Sequence, residues 1–213
     1  MERAGPDLRL FSLPADGSTL TPERFTSDAP GGPPIAWSPD SVYVLLHQAQ
    51  ASKIDLVHVA TGRITRWLQT PFAEYAVSFS PDGRWLAYSS NQSGQSDVWV
   101  RPFPGPGAPV RVSSEGGGKP KWSRDGTEIF YENGPKMMSA RVRSSAPDFR
   151  VEAPVLLFEG GFVRDDTDPR MLFVDVAQDG RFLAVQPAGA EGTASMVIVQ
   201  HLDVELDRLL PVR

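Results

Sequence analysis

One short pattern returns four times along the chain, and repetition limits a fold more tightly than any single motif. The stretches "AWSPDSVYVLL", "SFSPDGRWLAY", "KWSRDGTEIFY" and "VDVAQDGRFLAV" each centre on an aspartate: Asp40, Asp82, Asp125 and Asp179. The spacings are 42, 43 and 54 residues (82−40, 125−82 and 179−125). Three residues before each Asp stands a large apolar side chain, Trp37, Phe79, Trp122 and Val176, which predicts the end of a first strand. Four and six residues after it stand Val44 and Leu46, Leu86 and Tyr88, Ile129 and Tyr131, Leu183 and Val185. That alternation predicts a second strand with one face buried. Between the two runs the Asp bonds backbone two residues on, and Gly83, Gly126 and Gly180 accept positive φ, so each unit opens with a hairpin. Four copies at one position read as turn residues, not as catalytic acids.

A third strand is expected at 54–59, 97–103, 136–142 and 195–202, and a fourth at 63–68, 110–113 and 155–158. Four strands per period of this length predict an all-β chain of about four four-stranded antiparallel blades, a β-propeller, over residues 1–213 as one domain. The units lie near 35–68, 77–113, 120–158 and 171–202, with a partial blade over 7–26. Two accounts of that partial blade stay open. Its strands complete the last blade and close a ring, or they are the torn end of a larger propeller. A closed ring is expected to be monomeric, and an open one to associate through its exposed blade face.

Composition narrows the function. Net charge is −5, which disfavours nucleic acid and anionic lipid. No cysteine is present, so thiolate metal sites are excluded. No apolar run reaches membrane-span length and the N-terminal residues lack a signal-peptide core, so the expectation is a soluble polypeptide without an export address. The stretch "EGGGKP" (115–120) imitates a phosphate loop, but Ser113 and Pro120 stand where that pattern needs Gly and Ser or Thr, so an inter-blade turn is expected. His47, His58 and His201 lie in strand patterns and form no metal-binding pair. There is no G-x-S-x-G elbow and no kinase motif; "DFR" (148–150) is the nearest. No catalytic residue, cofactor or metal is therefore expected.

The last connection departs from the repeat by about seven residues, and it concentrates Arg164, Asp165, Asp166, Asp168 and Arg170. Loops on rigid scaffolds often carry function, so these five are the candidate partner-binding residues, against the plainer reading of a solvated acidic loop.

Taken together, residues 79–83 ("FSPDG") and the strand "RWLAY" resemble the TolB-type, WD40-like propeller repeat; Trp37–Asp40 lack only its Gly, and the units at Asp125 and Asp179 lack its Pro. The runs "VWVRPFPGPG", "GGGKPKWSRDGTEIFY", "KMMSARV", "APVLLFEG" and "VELDRLLP" are similar, in that order, to the propellers that follow the catalytic domain of bacterial serine/threonine kinases. That resemblance implies a non-catalytic sensor or protein-binding module, extracytoplasmic if it belongs to a receptor kinase. Two alternatives use the same repeat: the gating propeller of a prolyl-oligopeptidase-type peptidase, and a TolB-like periplasmic scaffold.

Overall fold

Tight Asp-centred turns joining β-branched and aromatic runs should give short antiparallel strands, and the computed structural model consists of them. It describes residues 34–48, 53–145, 148–160, 174–177 and 180–184, together with the strand pairs at 11–12 and 23–24. The candidate loop residues Arg164, Asp165, Asp166, Asp168 and Arg170, together with Asp179, Val185, His201 and the expected strand at 195–202, lie outside the described residues.

The chain divides into two units, Met1–Glu74 and Tyr75–Arg213. In the first, β1 (Phe11–Ser12) pairs with β2 (Glu23–Arg24). Strands β3 (Pro34–Trp37), β4 (Tyr43–Gln48), β5 (Lys53–His58) and β6 (Ile64–Gln69) then form a meander in chain order. Val44, Leu46 and Val57 cluster on one face, with Val59 and Ile64 packed against them.

The second unit opens with β7 (Glu74–Phe79), which begins at the boundary residue, and continues with β8 (Trp85–Ser90), β9 (Asp97–Pro102) and β10 (Val110–Arg111) in another four-stranded meander. A five-stranded sheet follows: β11 (Gly118–Trp122), β12 (Glu128–Asn133), β13 (Lys136–Ser145), β14 (Asp148–Val151) and β15 (Val155–Glu159). Last come β16 (Val174–Val176) and β17 (Phe182–Ala184). The first strands end on Trp37, Phe79, Trp122 and Val176, the four apolar residues that precede the turns.

Three expectations are corrected. Burial of one face in the second strands is too little: Leu45 between Val44 and Leu46, and Ala87 between Leu86 and Tyr88, are as inaccessible as their neighbours. The physical reason is visible around β12, a middle strand with sheets on both sides. Ile129 and Tyr131 join Trp85, Ala87, Val98 and Val100 of the preceding sheet, while Phe130 joins Phe182 of the following one. Next, Leu183 is 52 % exposed and its neighbour Phe182 only 2 %. The register Val176↔Phe182 turns those two toward Phe130 and Phe158 and leaves Leu183 beside Asp175 on the other face. Phe182 lies edge-on to both rings, with centroids at 5.0 and 5.3 Å. Finally, the third sheet has a strand that four-per-unit counting omits. β13 gives its first half to β15 and its second half to β14.

Candidate functional site

The conserved-looking turn is a closed hydrogen-bond unit, and it is built three times alike. In the second sheet the Ser80 hydroxyl donates to Asp82 Oδ1 at 2.6 Å and accepts from the Trp85 amide at 3.0 Å. Asp82 Oδ1 also accepts from the Arg84 amide at 3.1 Å. Ser38, Asp40, Val42 and Tyr43 repeat these bonds in the first sheet, at 2.6, 3.0 and 2.9 Å. Ser123, Asp125, Thr127 and Glu128 repeat them in the third, at 2.7, 3.0 and 2.9 Å. Hydrogen bonds to a carboxylate favour its ionised form. The Ser38 hydroxyl and then the Val42 amide hold Asp40 below its ordinary range. At Asp125 burial pushes upward, and the Ser123 hydroxyl with the Thr127 amide and hydroxyl outweigh it. Gly83 (φ 70°), Gly126 (φ 74°) and Gly180 (φ 79°) take the left-handed corner; in the first copy Ser41 takes it at φ 58°. The serine two residues before the Asp was legible in three of the four copies and is absent only from the last, where Ala177 stands.

A second recurring carboxylate was not singled out from sequence. Asp55 and Asp97 each follow their turn Asp by 15 residues (55−40 and 97−82), open or enter the third strand, and are 2 % and 0 % exposed. Each is answered by an arginine of the fourth strand. Arg66 Nε bonds Asp55. Arg111 Nη2 lies 2.8 Å from Asp97 Oδ2, and the Ser113 hydroxyl donates to Oδ1 at 2.6 Å; Ser93 donates to Oδ2 as well. Burial alone would raise Asp97, but the Ser113, Ser93 and Arg111 bonds prevail and its carboxyl stays below the usual range. These are braces between strands, with every carboxylate oxygen of Asp97 engaged.

The "EGGGKP" stretch is an inter-blade connection whose glycines make room for a ring. A Cβ on Gly117 (φ 150°) would stand 2.5 Å from the Tyr131 ring. The Gly117 amide donates to the Ser96 carbonyl at 2.9 Å, Ser96 donates to the Gly117 carbonyl at 2.9 Å, and the Lys119 amide donates to Ser89 Oγ at 2.9 Å. Tyr131 beneath it is pushed up to about 12, by burial first and then by Asp97 and Glu115. Lys119 takes φ 56°, and Ala76 takes φ 49° at the same place, six residues before the turn Asp. At that place β11 bulges: its pairing with β12 shifts between Gly118 and Lys121.

Past the bulge, Lys119 reaches Glu132 at 3.3 Å and Lys121 reaches Asp175 at 3.4 Å. These groups, with Phe130, Met137 and Phe182, line a cleft of about 230 Å3 open to solvent. Small-molecule pockets run to roughly 300–1,000 Å3, so this one admits a side chain better than a cofactor. His47 is buried in β4, and His58 Nδ1 lies 3.1 Å from Thr61 Oγ1 with its ring edge-on to Tyr43. Among the described residues no three His, Asp or Glu side chains converge as metal ligands, and no helix is long and apolar enough to cross a membrane.

No protein-family model matches the chain, and no curated protein is matched by its sequence. Solved structures do resemble it. TolB from Acinetobacter baumannii superposes with a TM-score of 0.55 at 16 % identity, over 85 % of this chain and 44 % of that one. Hydrazine synthase from Kuenenia stuttgartiensis gives 0.51 at 17 %, over 82 % and 46 %. A TolB from Agrobacterium tumefaciens, itself described as putative, gives 0.49 at 21 %, over 68 % and 56 %. The chain thus spans less than half the length of the first and of the hydrazine synthase. At such identities likeness speaks for fold and not for activity. What these sheets, their recurring turn and these neighbours establish together is an all-β protein of β-propeller fold, similar in architecture to TolB-like propellers.

Proposed function

We propose that this chain is a non-catalytic interaction or sensor module, a propeller scaffold that recognises a protein or peptide through segments departing from its repeat. One observation carries the reading. The polar groups best suited to chemistry, the serine and aspartate of each turn, are engaged in the same short bonds in three successive sheets. A catalytic acid is single; a group present at every repeat is architecture. Recognition then falls to the departures, among them the connection holding Arg164, Asp165, Asp166, Asp168 and Arg170.

The kinase-like order of the sequence runs favours a sensory role for the module, joined to a kinase and facing outward from a membrane. Its test is the coding DNA on either side: an in-frame kinase domain and membrane span upstream support it, and an in-frame hydrolase downstream supports the peptidase-gating alternative instead. For the module itself, the purified chain is expected to transfer no phosphate from ATP and to hydrolyse no peptide or ester. Turnover that a single point substitution abolishes would overturn the proposal.

A further inference from the structure

The third sheet breaks the repeat with a hairpin that the first and second lack. β13 continues past its pairing with β15, turns, and returns as β14, with Val142 opposite Val151 and Arg143 opposite Arg150. Alternation gives the hairpin two unlike faces. The inner face is anchored: Phe149 lies 4.7 Å from the Trp85 ring and 6.1 Å from the Trp122 ring, and Val142 and Val151 join the same apolar cluster. The hairpin is therefore held across two sheets.

Its outer face carries charge. Residues 141–151 hold three arginines and one carboxylate, Asp148, within a chain of net charge −5. Arg143 is 81 % exposed and Arg150 is exposed directly opposite it. Like charges placed opposite each other on a strand pair are destabilising. Arg143 meets Glu152 at 3.2 Å and Arg141 meets Glu128 at 3.3 Å, both at the surface, where such pairs contribute at most about 1 kcal/mol and exchange readily with other carboxylates. Among the described residues Arg150 has no carboxylate partner. β14 is also the last strand in its order, so its outer edge pairs with no described strand. A free edge is a template for an extended peptide.

We infer that the β13–β14 hairpin is a docking platform for an extended acidic peptide segment, whose carboxylates sit on Arg143 and Arg150 while its backbone runs beside β14. Planar guanidinium groups suit paired carboxylates, and the acidic background of the chain turns away the long polyanions that would otherwise compete. This inference rests on the binding-module reading and gives it one surface and one ligand chemistry.

The probe is a fluorescein-labelled decapeptide of alternating Glu and Val, titrated with the purified chain by fluorescence anisotropy. Saturable binding is expected, weakened at least about tenfold in the Arg143→Glu/Arg150→Glu variant and also weakened by high salt. The Arg143→Gln/Arg150→Gln variant removes the opposed charges without reversing them; its melting temperature is expected to equal or exceed that of the parent, which shows that lost binding is not lost folding. The inference falls if the peptide does not bind, or if binding survives both double substitutions. It also falls if a Lys-Val decapeptide, a DNA oligonucleotide or a phosphatidylserine vesicle binds as tightly. Failure of the peptide together with absent turnover would discard the hairpin assignment and leave the module reading standing.

Discussion

The second and third sheets solve one problem in opposite ways. In the second, the outer strands are tied by charge: Asp97, wholly buried, takes Arg111, Ser113 and Ser93. In the third, β13 contains no carboxylate at all, and its strand runs on instead to fold an apolar residue, Phe149, against Trp85 and Trp122. A buried ion pair stabilises only when all its lone pairs are met, whereas an apolar latch tolerates imprecise geometry. The repeat thus fixes where the strands run, while each sheet chooses its own fastening.

Removing the charged fastening should have the larger effect. Asp97→Ala leaves Arg111 and Ser113 facing an empty buried site and is expected to lower stability by about 3–5 kcal/mol in urea unfolding. The same group predicts an acid limb. Because its folded pKa lies below the unfolded one, its contribution is present above the unfolded value, about 3.9, and is lost as pH falls through the folded value. Asp97→Asn should therefore flatten the stability profile below about pH 4; an unchanged profile would show that Asp97 is not a brace. The apolar fastening is half-exposed, so Phe149→Ala should cost less, about 2 kcal/mol, and independently of pH. A cost equal to that of Asp97→Ala would erase the contrast.

The smallest effect separates the turns. Ser41 sits at φ 58° where Gly83 sits at φ 70°. Ser41→Gly relieves that corner and should stabilise by about 0.5 kcal/mol, while Gly83→Ser should destabilise by about 1 kcal/mol. Thermal melts of the two variants moving in the same direction would mean that the two turns are not equivalent.

Sequence made the turns and inner strands legible because their signals are local. Trp37, Phe79, Trp122 and Val176 each close a strand, and the Asp bonds lie within a few residues. It misled at Leu183, where period-two counting finds an apolar residue but cannot choose which face the next sheet covers. β14 was overlooked because "DFRV" is short and follows Pro147; its burial comes from tryptophans 27 and 64 residues upstream (149−122 and 149−85). Asp55 and Asp97 were readable as a second recurrence at constant offset, and only the turn Asp was followed. The braces became evident once the fourth-strand arginines were seen beside them.

The closure of the serine-aspartate turn within six residues, Ser80 to Trp85, has a consequence for how such chains grow. A gene duplication that copies one unit copies a complete corner with it, and the new blade needs no matching change elsewhere to turn its first hairpin. Braces and latches are different: they join residues 14 to 64 positions apart, and each new copy must reinvent them. The corner is inherited, and the fastening is where lineages diverge.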